Sequence, residues 1–157
     1  MGENHRIKVL FVCLGNICRS PMAEAVFQHL VSQEGLAERF EIASSGTSGY
    51  HVGERPHPGT RAILRKNQIE LDPSKRALRL SPDEIKQYDY VVAMDSENAG
   101  DLSRIGVAAP RLLEFATDHN RMDVPDPYYT DRFEEVYHLV TAGARGLLDY
   151  IRQEKGL

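Results

Sequence analysis

The chain has 157 residues, 41% of them hydrophobic and 27% charged, and a formal net charge of −4. That length suits one domain with a proper core, and the acidic balance offers no general field for nucleic acid or an anionic membrane surface. There is no run of about 18 apolar residues, so no membrane-spanning helix is expected.

The two cysteines, Cys13 and Cys18, are too few for a disulfide framework and suit a reducing compartment, which points to the cytoplasm. Without a second pair, and with no histidine at ligand-like spacing, they also make a poor zinc set. No metal or other cofactor is expected.

Ile7 to Cys13 is a near-continuous apolar run, as in a strand buried on both faces. The charged residues before it read as the lead into that strand, not as a signal peptide. From Arg19 onward, Met22, Ala23, Ala25, Val26, Leu30 and Val31 recur at helical spacing, and Pro21 suits a first turn. The stretch "RFEIASSG" predicts a second strand, and "TSGYHVGERPHPG" a loop long enough to carry function. A helix is expected over residues 60–66. "DYVVAMD" predicts a third strand, with Asp95 and Ser96 capping the helix after it, and "RLLEF" a short fourth. The loop "DHNRMDVPDPYYTD" then leads into an amphipathic helix with Phe133, Val136, Tyr137, Val140, Ala144, Leu147, Leu148 and Ile151 on its apolar side. This alternation implies one α/β domain over residues 1–157, with a parallel sheet and helices on both faces. In such folds, ligands bind beyond the carboxyl ends of the strands, where Cys13 falls.

From that strand to the next helix runs Leu14-Gly15-Asn16-Ile17-Cys18-Arg19-Ser20. A strand-to-helix loop gathers unpaired backbone N–H groups in one concavity, and the helix dipole adds to their pull on an anion. Gly15 permits a backbone that other residues resist, and Asn16 tolerates positive φ. Arg19 can grip two oxygens of a tetrahedral anion through its fork. Cations and helix N-termini favour thiolates, so Cys13 reads as a nucleophile aimed at a bound phosphate, with Ser20 donating to its sulfur. Thiolate, anion nest and arginine describe phosphoryl transfer through a covalent intermediate. The bland alternative is a buried cysteine packing as a small hydrophobe, and Cys18 fits that reading as readily as a functional one.

The stretch "VLFVCLGNICRSPMAEAVF" resembles the phosphate-binding loop of the low-molecular-weight protein tyrosine phosphatases. "SSGTSGYHVGERPHP" is similar to that family's variable loop, "VVAMDSEN" to its third strand and "VPDPYY" to its acid loop. The resemblance implies a four-stranded parallel sheet in a three-layer, flavodoxin-like sandwich, a metal-free mechanism and a phosphotyrosine-like substrate. It implies Asp126, between Pro125 and Pro127, as the general acid that protonates the leaving phenolate and then activates water. Asp123 is the nearby competitor but lacks the Asp-Pro-aromatic context. Tyr50, Tyr128 and Tyr129 lie in the two framing loops and suit walls for an aryl ring.

Two departures from the family pattern stand out. Family members often carry a histidine in the segment equivalent to "DPSKRALRL" that supports the loop asparagine; Lys75 stands there in this chain, which shifts that support towards Ser44. Arsenate reductases of this fold need a further cysteine pair, and no cysteine follows Cys18. Ile17 takes the place where arginine-phosphatase relatives carry threonine, which favours phosphotyrosine over phosphoarginine. A protein arginine phosphatase and a non-catalytic phospho-residue binding module are the alternatives, although binding alone needs neither Cys13 nor Asp126. Phosphotyrosine-bearing proteins, and by family analogy a bacterial tyrosine kinase, are the expected partners, with inorganic phosphate and other oxyanions as product or inhibitor. An accessible thiolate at Cys13 is also a target for peroxide, and the curl of the loop makes Cys18 its expected disulfide partner.

Overall fold

The structure is a computed structural model that describes residues 5–117 and 121–157. At its centre lies β1 (Ile7–Cys13), flanked by β2 (Phe40–Gly46) and β3 (Tyr90–Ala93) in the order β2-β1-β3, all parallel. Being central, β1 is covered on both faces, which is why its sequence is apolar without alternation. Val9 and Phe11 enter the larger core, while Leu10 and Val12 enter a smaller one on the opposite face.

The larger core is closed by α1 (Arg19–Gln33), α2 (Pro58–Lys66) and α6 (Phe133–Lys155). Phe27 of α1 stands edge-on to both Phe11 and Phe40, each at 5.6 Å between centroids. In the smaller core, Ile85 of α3 (Pro82–Ile85) and Leu102 of α4 (Ser96–Arg104) cover Leu10, Val12 and Ala93. The order β2-β1-β3 puts a topological switch at the carboxyl end of β1, where chains leaving the sheet diverge and open a crevice. Cys13 is the last residue of that strand.

The expected fourth strand is a correction. "RLLEF" touches the sheet only through a single bridge between Ala93 and Arg111 and the bond from Ala93 N to Pro110 O at 2.9 Å. Leu112–Phe115 is a 3-10 turn, so the sheet has three strands among the described residues. Leu112 and Leu113 both enter the larger core, whereas a strand sends successive side chains to opposite faces. The turn is closed by Glu114, whose Oε2 accepts from Arg111 N at 2.8 Å.

The second long loop also holds a short helix, α5 (Pro127–Thr130), and residues 118–120 of the segment read as loop lie outside the described residues. No helix among the described residues is long and apolar enough to cross a membrane.

Candidate active site

Asn16 shapes the loop that leaves β1. Its φ of +57° turns the chain back, and its N–H donates to Cys13 Sγ at 3.3 Å. Gly15 does not have positive φ, which corrects the sequence expectation. Its reason is space: a Cβ there would lie 2.8 Å from His51 Cδ2. Gly46 serves the same end on the other side, since a Cβ would lie 2.7 Å from Leu14 O and push the loop off β2.

The buried side chain of Asn16 spans three elements. Its Nδ2 donates to Ser20 Oγ at 2.8 Å and to Ser44 Oγ at 2.9 Å, and its Oδ1 accepts from Leu78 N at 2.9 Å. Ser20 Oγ in turn stands 2.9 Å from Cys13 Sγ. Lys75 supports this network from behind. Its Nζ donates to Ser44 O at 3.0 Å and pairs with Glu24 at 3.4 Å, while Ser44 Oγ donates to Glu24 Oε1 at 2.5 Å. A lysine therefore reaches the asparagine through Ser44, with Glu24 as a member that sequence reasoning did not single out.

Arg19 opens α1, a helix with no side-chain cap and no acidic residue in its first turn. Its leading N–H groups and dipole are thereby left for an external anion. The guanidinium is buried, and Nη1 donates to Asp95 Oδ2 at 2.6 Å and to Val124 O at 2.9 Å. Nη2 lies 3.6 Å from Asp126 Oδ2, and Nε has no hydrogen-bond partner among the described residues. Burial works against the cation, yet the Cys13 sulfur, the bond to Asp95 and the Asp126 carboxylate outweigh it and raise its pKa. A buried donor without a partner is costly, and Arg19, which lines the cleft, retains one.

Asp126 caps α5, its Oδ1 accepting from Tyr128 N at 3.0 Å, and its other oxygen faces Arg19 across the cleft. Asp123 has another task. Its carboxylate accepts from Ser96 N and Ser96 Oγ, both at 3.0 Å, and from Arg111 Nη1 at 3.2 Å, which anchors the loop to the start of α4.

Cys13, Leu14, Gly15, Ile17, Cys18, Arg19 and Asp126 line one cleft of about 370 Å³, with Ser48, Tyr50, His51, Tyr128 and Tyr129. The three tyrosines form its rim, 82%, 48% and 77% exposed for Tyr50, Tyr128 and Tyr129. His51 ties the rim together, 4.8 Å from Tyr50 and 5.6 Å from Tyr128 between ring centroids, with Nδ1 2.9 Å from Glu54. Cys18 is buried, and desolvation first, then the charges of Asp126 and Cys13, push its thiol up to about 12 against the opposing pull of Arg19.

Sequence reasoning missed His51 and the second role of Asp95. The signal for His51 was its place in the "GYHVG" loop. For Asp95 it was its place just beyond β3: a helix cap engages one carboxylate oxygen, and the other was free to reach the crevice. Among the described residues, no group of three or more His, Cys, Asp or Glu could hold a metal ion.

Fold and site together define an α/β protein with a cysteine-centred cleft at the switch point of its sheet, facing a buried arginine and a loop carboxylate. The model of the low molecular weight phosphotyrosine protein phosphatases matches residues 8–157, and the chain belongs to that family. It is 47% identical over 156 residues to the low molecular weight protein-tyrosine-phosphatase YfkJ of Bacillus subtilis, covering 96% of this chain and 99% of that one. It is 41% identical to PtpA of Staphylococcus epidermidis, over 96% and 97% of the two chains. The crystal structure of YfkJ superposes with a TM-score of 0.94, at 45% identity over 98% of this chain and 99% of that one. A Drosophila arginine phosphatase superposes at 0.85, with 25% identity over 93% and 98%.

Proposed function

We propose that this chain hydrolyses phosphotyrosine in proteins, and small aryl phosphates, through a phosphocysteine on Cys13. The observation that carries this reading is that Cys13, Arg19 and Asp126 line one cleft, with Arg19 Nη2 3.6 Å from Asp126 Oδ2. In the first step, Cys13 Sγ attacks phosphorus and the bond to the phenolic oxygen breaks, with Asp126 giving its proton to that oxygen. Arg19 and the start of α1 hold the phosphoryl oxygens as charge redistributes. In the second step, water gives a proton to Asp126 and attacks phosphorus. The S–P bond then breaks, releasing inorganic phosphate, with Ser20 Oγ placed to stabilise the departing sulfur.

The tyrosine rim suits the aromatic ring of the substrate, and Ile17 on the cleft wall is apolar where a phosphoguanidinium would need polar partners. We read Cys18, which lines the same cleft, as the thiol that traps an oxidised Cys13 as a disulfide. The reducing cytoplasm is the matching setting, phosphotyrosine proteins made by a bacterial tyrosine kinase are the matching substrates, and phosphate is the expected competitive inhibitor.

The test is turnover of p-nitrophenyl phosphate, a phosphotyrosine peptide and phosphoarginine by the wild type and by Cys13→Ser, each with and without a chelator. Wild-type turnover of the two aryl esters above phosphoarginine, indifferent to the chelator and lost in the variant, is expected. Appreciable turnover by Cys13→Ser would place the nucleophile elsewhere, and faster turnover of phosphoarginine would reverse the substrate assignment.

A further inference from the structure

Arg79 takes no hydrogen-bond or ion-pair partner among the described residues. Its backbone is nonetheless fixed to the end of β2. Gly46 N donates to Leu78 O at 2.7 Å, Leu80 N donates to Gly46 O at 2.8 Å, and Gly46 and Arg79 form an isolated bridge. Its side chain lies along Gly49, where a Cβ would stand 3.3 Å from Arg79 Cδ and 3.8 Å from Nη1. A free guanidinium therefore sits beside the loop that carries Tyr50 to the cleft rim.

A second groove, of about 590 Å³, runs past this arginine. Leu14 and Ser48 line both the groove and the catalytic cleft, so the two hollows adjoin there. Leu80, Pro82 and Ile105 supply its apolar surface, and Leu14 and Ile105 are 41% and 42% exposed. Asp101 and Arg104 also line it, but they pair with each other at 2.6 Å. Arg79 is left as its uncompensated charge.

A phosphotyrosine in a protein continues into chain on both sides, and a chain leaving the cleft over Leu14 and Ser48 enters this groove. The protein carries a net charge of −4 and repels acidic segments at long range, so a local cation beside the cleft selects rather than merely attracts. We propose that the groove is a second substrate subsite for the segment flanking the phosphotyrosine, holding an acidic side chain on Arg79 and an apolar one against Leu80 and Ile105. This rests on the phosphatase reading above.

The experiment measures kcat and KM for wild type, Arg79→Glu and Ile105→Ser on p-nitrophenyl phosphate and three phosphotyrosine peptides. One peptide carries Glu and Leu on the amino side, one carries them on the carboxyl side, and one carries Lys and Ser on both sides. All three enzymes are expected to hydrolyse p-nitrophenyl phosphate alike. Arg79→Glu should raise KM about fivefold for one of the Glu/Leu peptides and lower it for the Lys/Ser peptide, an effect that fades in high salt. Ile105→Ser should raise KM for that same Glu/Leu peptide about threefold and leave the Lys/Ser peptide unchanged. Peptide constants equal across the three enzymes, with p-nitrophenyl phosphate turnover intact, would overturn the subsite alone. So would an Arg79→Glu effect of equal size on every substrate. Failure of the wild type to hydrolyse p-nitrophenyl phosphate would overturn the phosphatase reading and the subsite with it.

Discussion

Asp95 holds Arg19. Its Oδ2 accepts from Arg19 Nη1 at 2.6 Å, while its Oδ1 accepts from Asn98 N at 2.7 Å in the first turn of α4. One carboxylate thus ties the guanidinium at the cleft floor to a helix on the other face of the sheet. The Val124 carbonyl, which also accepts from Nη1, ties it to the loop that carries Asp126.

Asp95→Ala should therefore do two things. It leaves a buried guanidinium short of its nearest counter-charge and α4 without its cap, at a cost of about 3 kcal/mol in stability. It also frees the fork to turn towards Asp126, so kcat should fall about 100-fold with the fold retained. Urea unfolding and steady-state kinetics on the same sample check both parts, and a stable variant with wild-type kcat would show that Arg19 needs no such clamp.

Asp126→Asn separates chemistry from structure. Only a basic leaving oxygen needs the proton, so aryl phosphates with high leaving-group pKa should slow about 100-fold or more and those with good leaving groups far less. A plot of log(kcat/KM) against leaving-group pKa reads the effect directly. A uniform loss across the series would point instead to a disturbed loop.

Lys75→Met tests the support behind Asn16. It removes the bond to Ser44 O and the pair with Glu24, costing about 1 kcal/mol in stability. Loosening Ser44 loosens Asn16, so kcat should fall about tenfold while KM changes little. Lys75→His, which restores a donor at that place, should recover most of the loss. No recovery would mean that the methionine acts through packing.

Peroxide should inactivate the enzyme by converting Cys13 to a sulfenic acid, whose hydroxyl Cys18 then displaces as water to form the disulfide. Thiol reductant should restore activity, bound phosphate should slow the loss, and Cys18→Ser should stay active but lose much of its recovery. Because burial holds the Cys18 thiol up at about 12, its thiolate is scarce at neutral pH. Ring closure should accelerate about tenfold for each pH unit on the alkaline side, as thiolate attack requires. Mass spectrometry after a pH-jump quench measures this, and a closure rate flat in pH would rule out Cys18 as the attacking thiol.

The segment from Cys13 to Ser20 was legible because its chemistry is local. Strand end, turn and helix start lie within eight residues, and each local preference agrees with its neighbours: an apolar run, an asparagine that accepts positive φ, a proline in the first turn. The alternation of elements was legible for the same reason. Apolar periodicity is a property of neighbouring residues, and it marked β1, β2, α1 and α6 correctly.

"RLLEF" misled because a five-residue segment with only three apolar residues has no decisive period. Its conformation was decided by α6 and the core, which bury Leu112 and Leu113 together. Gly15 is a similar case: a glycine next to an active-looking turn suggests unusual backbone, but the requirement came from the His51 ring, 36 positions further on.

The sequence by itself determined that a thiol ends a buried strand, that an arginine opens the next helix, and that an aspartate sits between two prolines in a late loop. Only the tertiary structure decided which acid serves which purpose. Asp95, Asp123 and Asp126 are near-equivalent as residues, each free to cap a turn. Their fates diverge because packing brings Asp95 and Asp126 to Arg19, 76 and 107 positions away along the chain, and turns Asp123 towards Ser96 and Arg111. A carboxylate's role depends on the charge it faces at about 3 Å, and that distance is set by the packing of the sheet and helices rather than by neighbours in the chain.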